Sequence, residues 1–223
     1  MKKTRKKLWH ILLLLYWPLY LLFFFFIERY LILEYAPVEC RFDALIPFCE
    51  FFIIPYVLWY FYLVWIHLYT LIRDVASFKK LMYFIITSFS VACVCFVLFP
   101  NSQLLRPEVF PRDNFFTDTV KFLYAIDTNT NVCPSLHVVG SFAVLFTAWN
   151  TKGLNKPLWR CINIIITLLI TASTVFLKQH SLVDTAAALL LCMAVYPIAF
   201  ILPDKLAKQK RNKVQKTVEK AEI

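Results

Sequence analysis

The sequence predicts an all-α fold, a polytopic membrane bundle of six transmembrane helices with both termini in the cytoplasm. Three observations carry that expectation. Hydrophobic residues make up 60% of the 223-residue chain and charged residues 17%, against roughly 45–50% and about 25% in soluble domains. Mean hydropathy is +0.64. Six apolar runs approach the roughly 17–25 residues that a span requires, and the charges between them alternate in sign. A chain of this length reads as one membrane domain over 1–223, with a basic N-terminus at 1–7, a bundle at 8–202 and a basic tail at 203–223.

The expected spans run over residues 8–27, 45–72, 81–99, 135–149, 159–176 and 182–202. The first follows Lys2, Lys3, Arg5, Lys6 and Lys7. Its apolar stretch is too long for a signal peptide and no small-residue cleavage site follows, so it is an uncleaved span. The second is long and contains Pro55, which predicts a tilt or a kink. The fourth is short, so its polar end is expected in a cavity. Between the third and fourth, 115–126 has the pattern of a short amphipathic helix lying on the outer surface. Only Gly140 and Gly153 occur as glycines, which excludes a Gly-rich phosphate loop.

The net charge of +10 is unevenly spread. The N-terminus, the segment after span two (Arg73, Lys79, Lys80), the segment after span four (Lys152, Lys156, Arg160) and the tail are basic. The segment after span one carries Glu28, Glu34, Glu39 and Asp43, and the one after span three carries Glu108, Asp113, Asp118 and Asp127. By the positive-inside rule the loops after spans one, three and five face outward. The basic tail lacks aromatic residues, so it reads as a partly helical segment on anionic headgroups rather than a nucleic-acid arm. The seven cysteines have no metal-ligand spacing. Cys40, Cys49 and Cys133 lie near the outer face, and whether they pair stays open.

Three short polar motifs stand at outer ends of spans: Arg106-Pro107, then Pro134-Ser135-Leu136-His137, then Lys178-Gln179-His180 with Asp184. His180 and Asp184, four residues apart, share one face of a helix. There the carboxylate can fix the ring tautomer and leave the other nitrogen free to attack. The alternative is a histidine that is polar because its end of the span is wet, but a carboxylate near membrane depth is costly unless used. Pro134 suits a first helical turn, whose free N–H groups attract anions. Ser135 offers a hydroxyl, and His137 stands one turn inside as a candidate general acid. An ordinary helix start, capped near Asn131 or Cys133, is the plainer account of that motif. The Arg106 guanidinium is a bidentate phosphate ligand, and Lys178 adds a second cation. Glu50 reads as a wet carboxylate or part of a pocket wall, and His10 and His67 receive no role.

Together the motifs resemble those of the phosphatidic acid phosphatase type 2 superfamily, whose pattern is K-x6-R-P, P-S-G-H and S-R-x5-H-x3-D on a six-span bundle. The resemblance implies His180 as a nucleophile that forms a phosphohistidine, Asp184 as its partner and His137 as the acid. It implies Arg106 and Ser135 as phosphate ligands, and no metal or other cofactor. The chain departs from the pattern at Phe99, Leu136 and Thr174, which replace the family's lysine, glycine and arginine, while Ser173 is retained. Lys178 or Arg112 can supply a missing charge. The altered set resembles the branch of inositol phosphorylceramide synthases and related bacterial proteins.

The resulting expectation is a lipid phosphatase acting on phosphatidic acid or a polyprenyl diphosphate at the outer face of the plasma membrane. Two alternatives stand beside it. One is a phosphotransferase that passes a phosphorylated headgroup to an alcohol. The other is a non-enzymatic transporter or structural protein. The expected partners are the bilayer and a phospholipid or isoprenoid phosphate, with no nucleic acid and no obligate protein partner.

Overall fold

The computed structural model describes residues 9–31 and 34–221, so the basic N-terminus at 1–7 lies outside the described residues. The fold is all-α. Helix α1 (Trp9–Tyr30) opens with a 3-10 stretch over Trp9–Leu15 and becomes α-helical from Tyr16. Helices α2 (Ile53–Arg73) and α3 (Val75–Leu98) follow, then the short α4 (Phe115–Ile126), α5 (Leu136–Asn150), α6 (Pro157–Phe176) and α7 (Leu182–Tyr196). A π-helical turn over Pro197–Ile201 joins α7 to α8 (Leu202–Ala221), so that the basic tail continues the last span as a helix.

Among the described residues five helical stretches are long and apolar enough to cross a membrane. The fourth expected span, α5, is not among them: it has 15 residues and buries ten of them. At 1.5 Å per residue it is about 22 Å long, short of the roughly 30 Å hydrocarbon core. It sits at the centre of the bundle, packed against α2, α3, α6 and α7. The main core joins Val138, Val139, Ala143, Val144 and Ala148 of α5 to Leu63 and Ile66, Phe84 and Phe89, Ile170 and Ala188. Small α5 residues permit that close approach. A Cβ on Gly140 would stand 2.8 Å from Trp59 Nε1.

Two expectations about boundaries change. Pro55 does not kink a span: a 3-10 turn at Glu50–Phe52 leads into α2 at Ile53. The proline therefore falls in the first helical turn, where no intrahelical N–H is needed. Asp74 alone separates α2 from α3, closing one and capping the other by accepting from Ser77 N at 3.1 Å. Lys79 and Lys80 are thus helical, and Lys80 pairs with Asp204 of α8 at 2.6 Å.

Helix α4 forms over the expected residues. Asn114 caps it, its Oδ1 accepting from Phe116 N and Thr117 N at 2.9 and 3.0 Å. Its apolar face meets a second small core of Ile53, Tyr56, Val120, Leu123 and Leu177, while Phe115, Phe122 and Ile126 point outward. Two dipeptide strands, β1 (Ala36–Pro37) and β2 (Asn101–Ser102), pair in parallel and tie the segment after α1 to the segment after α3. Cys40, Cys49 and Cys133 are free thiols, as are the other four cysteines.

Candidate active site

Local rules build the two ends that carry the histidines. Helix α6 ends at Phe176, and Lys178 takes a left-handed backbone with φ 53°, the reversal usual just past a helix C-terminus. Gln179 N and His180 N then both donate to Thr174 O at 3.0 Å. Ser181 caps α7 in a capping box: its hydroxyl accepts from Val183 N at 3.0 Å, and the Asp184 carboxylate accepts from Ser181 N at 2.9 Å. His180 therefore stands just before the helix rather than on its face. The four-residue spacing still brings His180 Nδ1 to 3.2 Å from Asp184 Oδ2. Because a carboxylate only accepts, Nδ1 carries the proton and Nε2 keeps its lone pair.

The opposite wall is the start of α5. Its cap is Ser135 rather than Asn131 or Cys133, with the hydroxyl accepting from Val138 N at 3.5 Å. Ser135 N donates to Asp184 O at 3.2 Å and fastens the two helix starts together. Asn101 braces the turn before it: its Oδ1 accepts from Val132 N and Cys133 N at 2.8 Å, and its Nδ2 donates to Cys133 O. His137 lies between the rings of Tyr56 and Trp59, each 4.4 Å away, and 5.8 Å from the His180 ring. Its Nε2 is buried and has no partner within the protein.

His137 and His180 open onto a cavity of about 590 Å³ between α1, α2 and the 127–132 segment. Asp127, Asn131 and Gln179 line its polar end. Arg106 stands behind them. Its Nη2 donates to Gln179 Oε1 and Asp127 O at 2.6 Å, its Nη1 donates to Tyr124 O at 3.1 Å, and its guanidinium lies 4.3 Å over the Tyr124 ring. Burial draws its pKa below the usual arginine value, against the opposing pull of Asp127. Asp127 Oδ2 accepts from Tyr56 Oη at 2.6 Å and from Gln179 Nε2 at 3.3 Å.

The structure thus gathers His180, Asp184 and His137, and bonds Arg106 to the side chain of Gln179, the residue before His180. The side chains of Ser135 and Lys178 do not line the cavity. Ser135 is fully buried in its capping role. Lys178 Nζ turns away to donate to Asp43 O at 2.7 Å, and burial lowers its pKa while Asp43 opposes the shift. Arg112 lies elsewhere, its Nε 2.8 Å from Glu50 Oε1. Glu50 is buried rather than wet, and also accepts from Asn114 Nδ2. Among the described residues no group of three or more His, Cys, Asp or Glu is placed to hold a metal ion.

Three contributors escaped the sequence reading. Asp43 accepts from Ser181 Oγ at 2.7 Å and Leu182 N at 2.8 Å, which holds the start of α7 from a distant loop. Burial raises its pKa, but these bonds and that from Cys40 N outweigh burial and leave it lowered. Gln103 Nε2 donates to Lys178 O and Gln179 O. Gln179, flanked by the two motif residues, bridges Arg106 to Asp127. Its place inside the third motif was the one signal available.

A family model described as the PAP2 superfamily matches residues 80–208. No curated protein and no solved structure matches the chain.

Proposed function

The chain belongs to the PAP2 superfamily, and from that premise we propose that it is an integral membrane enzyme hydrolysing a lipid phosphate or diphosphate through a phosphohistidine. The observation that carries this reading is the pair of histidines facing one another at the polar end of an apolar cavity, one of them oriented by a carboxylate. The phosphoryl group sits between His180 and the first turn of α5, whose unpaired N–H groups favour an anion. His180 Nε2 attacks phosphorus, forming the N–P bond as the bond to the lipid oxygen breaks. Asp184 stabilises the imidazolium character that develops on the ring. His137 Nε2–H donates its proton to the departing lipid oxygen. Water, deprotonated by the now neutral His137, cleaves the N–P bond and releases phosphate.

Arg106 contributes positive charge behind Gln179, and Ser135 contributes the helix start against which phosphate rests. Lys178 contributes through the Asp43 tether rather than by reaching the anion. Six spans, with α5 as the short central one, and cytoplasmic termini follow the alternation of basic and acidic segments. That alternation supports an extracytoplasmic position for the histidines, in the plasma membrane.

Transfer to an alcohol instead of water is the second reading. It is favoured by the Asp127 carboxylate at the cavity surface, which repels phosphate but accepts hydrogen bonds from an acceptor's hydroxyl groups. The test uses purified protein in mixed micelles containing EDTA, with phosphatidic acid or a polyprenyl diphosphate, with and without inositol. Phosphate release that His180→Ala abolishes is the expected result. A new inositol-linked lipid without phosphate release selects transfer, and wild-type turnover by His180→Ala overturns the histidine mechanism.

A further inference from the structure

The turn over residues 177–181, between α6 and α7, carries His180. A strap laid across this turn comes from the segment between α1 and α2. One end is tied where Ala36 N donates to Pro100 O at 3.0 Å and Val38 N donates to Ser102 O at 2.7 Å. The other is tied at the close of α6, where Cys49 N donates to Phe176 O at 3.1 Å. Between them, buried Asp43 opens a 3-10 turn over Asp43–Leu45. Asp43 grips both flanks of the histidine. Two residues before His180, Lys178 Nζ donates to the Asp43 carbonyl at 2.7 Å. Just after it, Ser181 Oγ and Leu182 N donate to the Asp43 carboxylate at 2.7 and 2.8 Å. A bond from Cys40 N at 2.7 Å orients that carboxylate from within the strap. The carboxylate thus accepts three bonds, which favour its ionised form. The buried Lys178 ammonium ends on the same residue, so the two charges offset one another. Gln103 bonds Lys178 O and Gln179 O, and Thr174 O accepts from Gln179 N and His180 N. Those ties stop at His180, whereas the bonds to Asp43 reach across it to the start of α7.

We infer that Asp43 is a positioning residue for the nucleophile: its clamp sets the register of the turn, so that the His180 ring meets Asp184 and keeps Nε2 free for the phosphoryl group. This rests on the reading of His180 as the nucleophile. Asp43 does not line the cavity, so it acts by placement alone. It also lies outside residues 80–208, which match the family model. The placement carries weight because a misplacement of about 1 Å at a reacting atom costs about 10²-fold in rate.

The experiment compares wild type, Asp43→Ala, Asp43→Asn and Asp74→Ala in mixed micelles by two readouts. With phosphatidic acid or a polyprenyl diphosphate, Asp43→Ala lowers kcat about 10²-fold at unchanged KM. Asp43→Asn, whose Oδ1 still accepts from Leu182 N, recovers part of that loss. Asp74→Ala removes the cap of α3; it lowers the melting temperature and leaves kcat unchanged, which separates positioning from general destabilisation. The second readout needs no turnover. In protein labelled with nitrogen-15 histidine, the ring signals of His180 are identified by their loss in His180→Ala. Wild type holds the Nδ1–H tautomer against Asp184, and Asp43→Ala mixes in the Nε2–H form. That mixing in a protein that turns over no lipid phosphate keeps the clamp and removes the enzymatic reading alone. His180 signals unchanged in Asp43→Ala, or a wild-type kcat in that variant, overturn the clamp and leave the phosphatase standing. Lys178→Met frees one flank and leaves the carboxylate bonded, and it serves both measurements if Asp43→Ala fails to fold.

Discussion

Helix α1 and the bundle behind it hold the same cavity by opposite means. In α3 half of the apolar stretch is buried within the protein, whereas in α1 only 11% is. The bundle is joined by side-chain packing around α5. The first helix puts only Tyr20 and Ile27 into the main core and packs Trp17 and Phe24 against Phe89 and Phe96. It adds polar pins: Tyr16 Oη to Ser90 Oγ at 3.0 Å, Trp17 to His67, and Glu28, which accepts from Thr128 Oγ1 at 2.6 Å, Thr130 Oγ1 at 3.0 Å and Asn131 Nδ2. The family match begins at residue 80 and so leaves α1 and α2 outside it. The two histidines thus stand on densely packed elements, while the α1 side of the cavity has less packing and more hydrogen bonds. A reacting geometry must be held closely, while a sparsely packed element opens at lower cost.

Substitutions can break this contrast, beginning with the largest effect. His180→Ala should lower turnover by about a thousandfold or more with little change in melting temperature, because the ring stands at a cavity edge outside any helix. Activity and thermal unfolding of the same preparation check both halves. Asp184→Ala should lower turnover by about 10²–10⁴-fold through loss of ring orientation. It should also cost about 1 kcal/mol through the lost capping box. A variant that lost activity alone would separate the two duties of this carboxylate.

Gly140→Ala should destabilise the protein by about 1–3 kcal/mol, since the new methyl would press Trp59 towards His137. Denaturant midpoints and kcat together would show whether the packed side transmits that push. Glu28→Ala, on the pinned side, should raise KM several-fold and leave kcat nearly unchanged, because the 127–131 segment loosens while the histidines stay in place. A large fall in kcat would show that α1 belongs to the reacting framework after all.

The smallest expected effect concerns pH. The folded Asp43 carboxyl titrates below its unfolded value of about 3.9. Its contribution to stability is therefore complete above that value and is lost as pH falls through the lower folded pKa. Asp43→Asn should destabilise at neutral pH and weaken the acid dependence below about pH 4. Thermal melts across that range check it.

Much of the fold was legible because hydropathy and helix chemistry are local. The spans, the amphipathic 115–126 helix and the Pro134–Ser135 helix start follow from runs of residues that act on their neighbours. Pro55 was misplaced because proline is tolerated in a first turn, and where that turn begins depends on the Glu50–Phe52 segment. Asp74 escaped notice as a one-residue connection because caps obey geometry that composition does not reveal.

The sequence by itself determined which residues are candidates for chemistry, since His137, His180, Asp184 and Arg106 are the polar groups that apolar spans end on. The four-residue spacing also set the His180–Asp184 contact. Only the tertiary structure decided that Arg106 bonds Gln179, that Lys178 turns to Asp43, and that Glu50 is buried against Arg112. Those pairings join residues 62 to 135 positions apart, and no local rule selects a partner at that distance. Packing around α5 selects it, because a buried charge must find whichever acceptor the folded chain brings within reach.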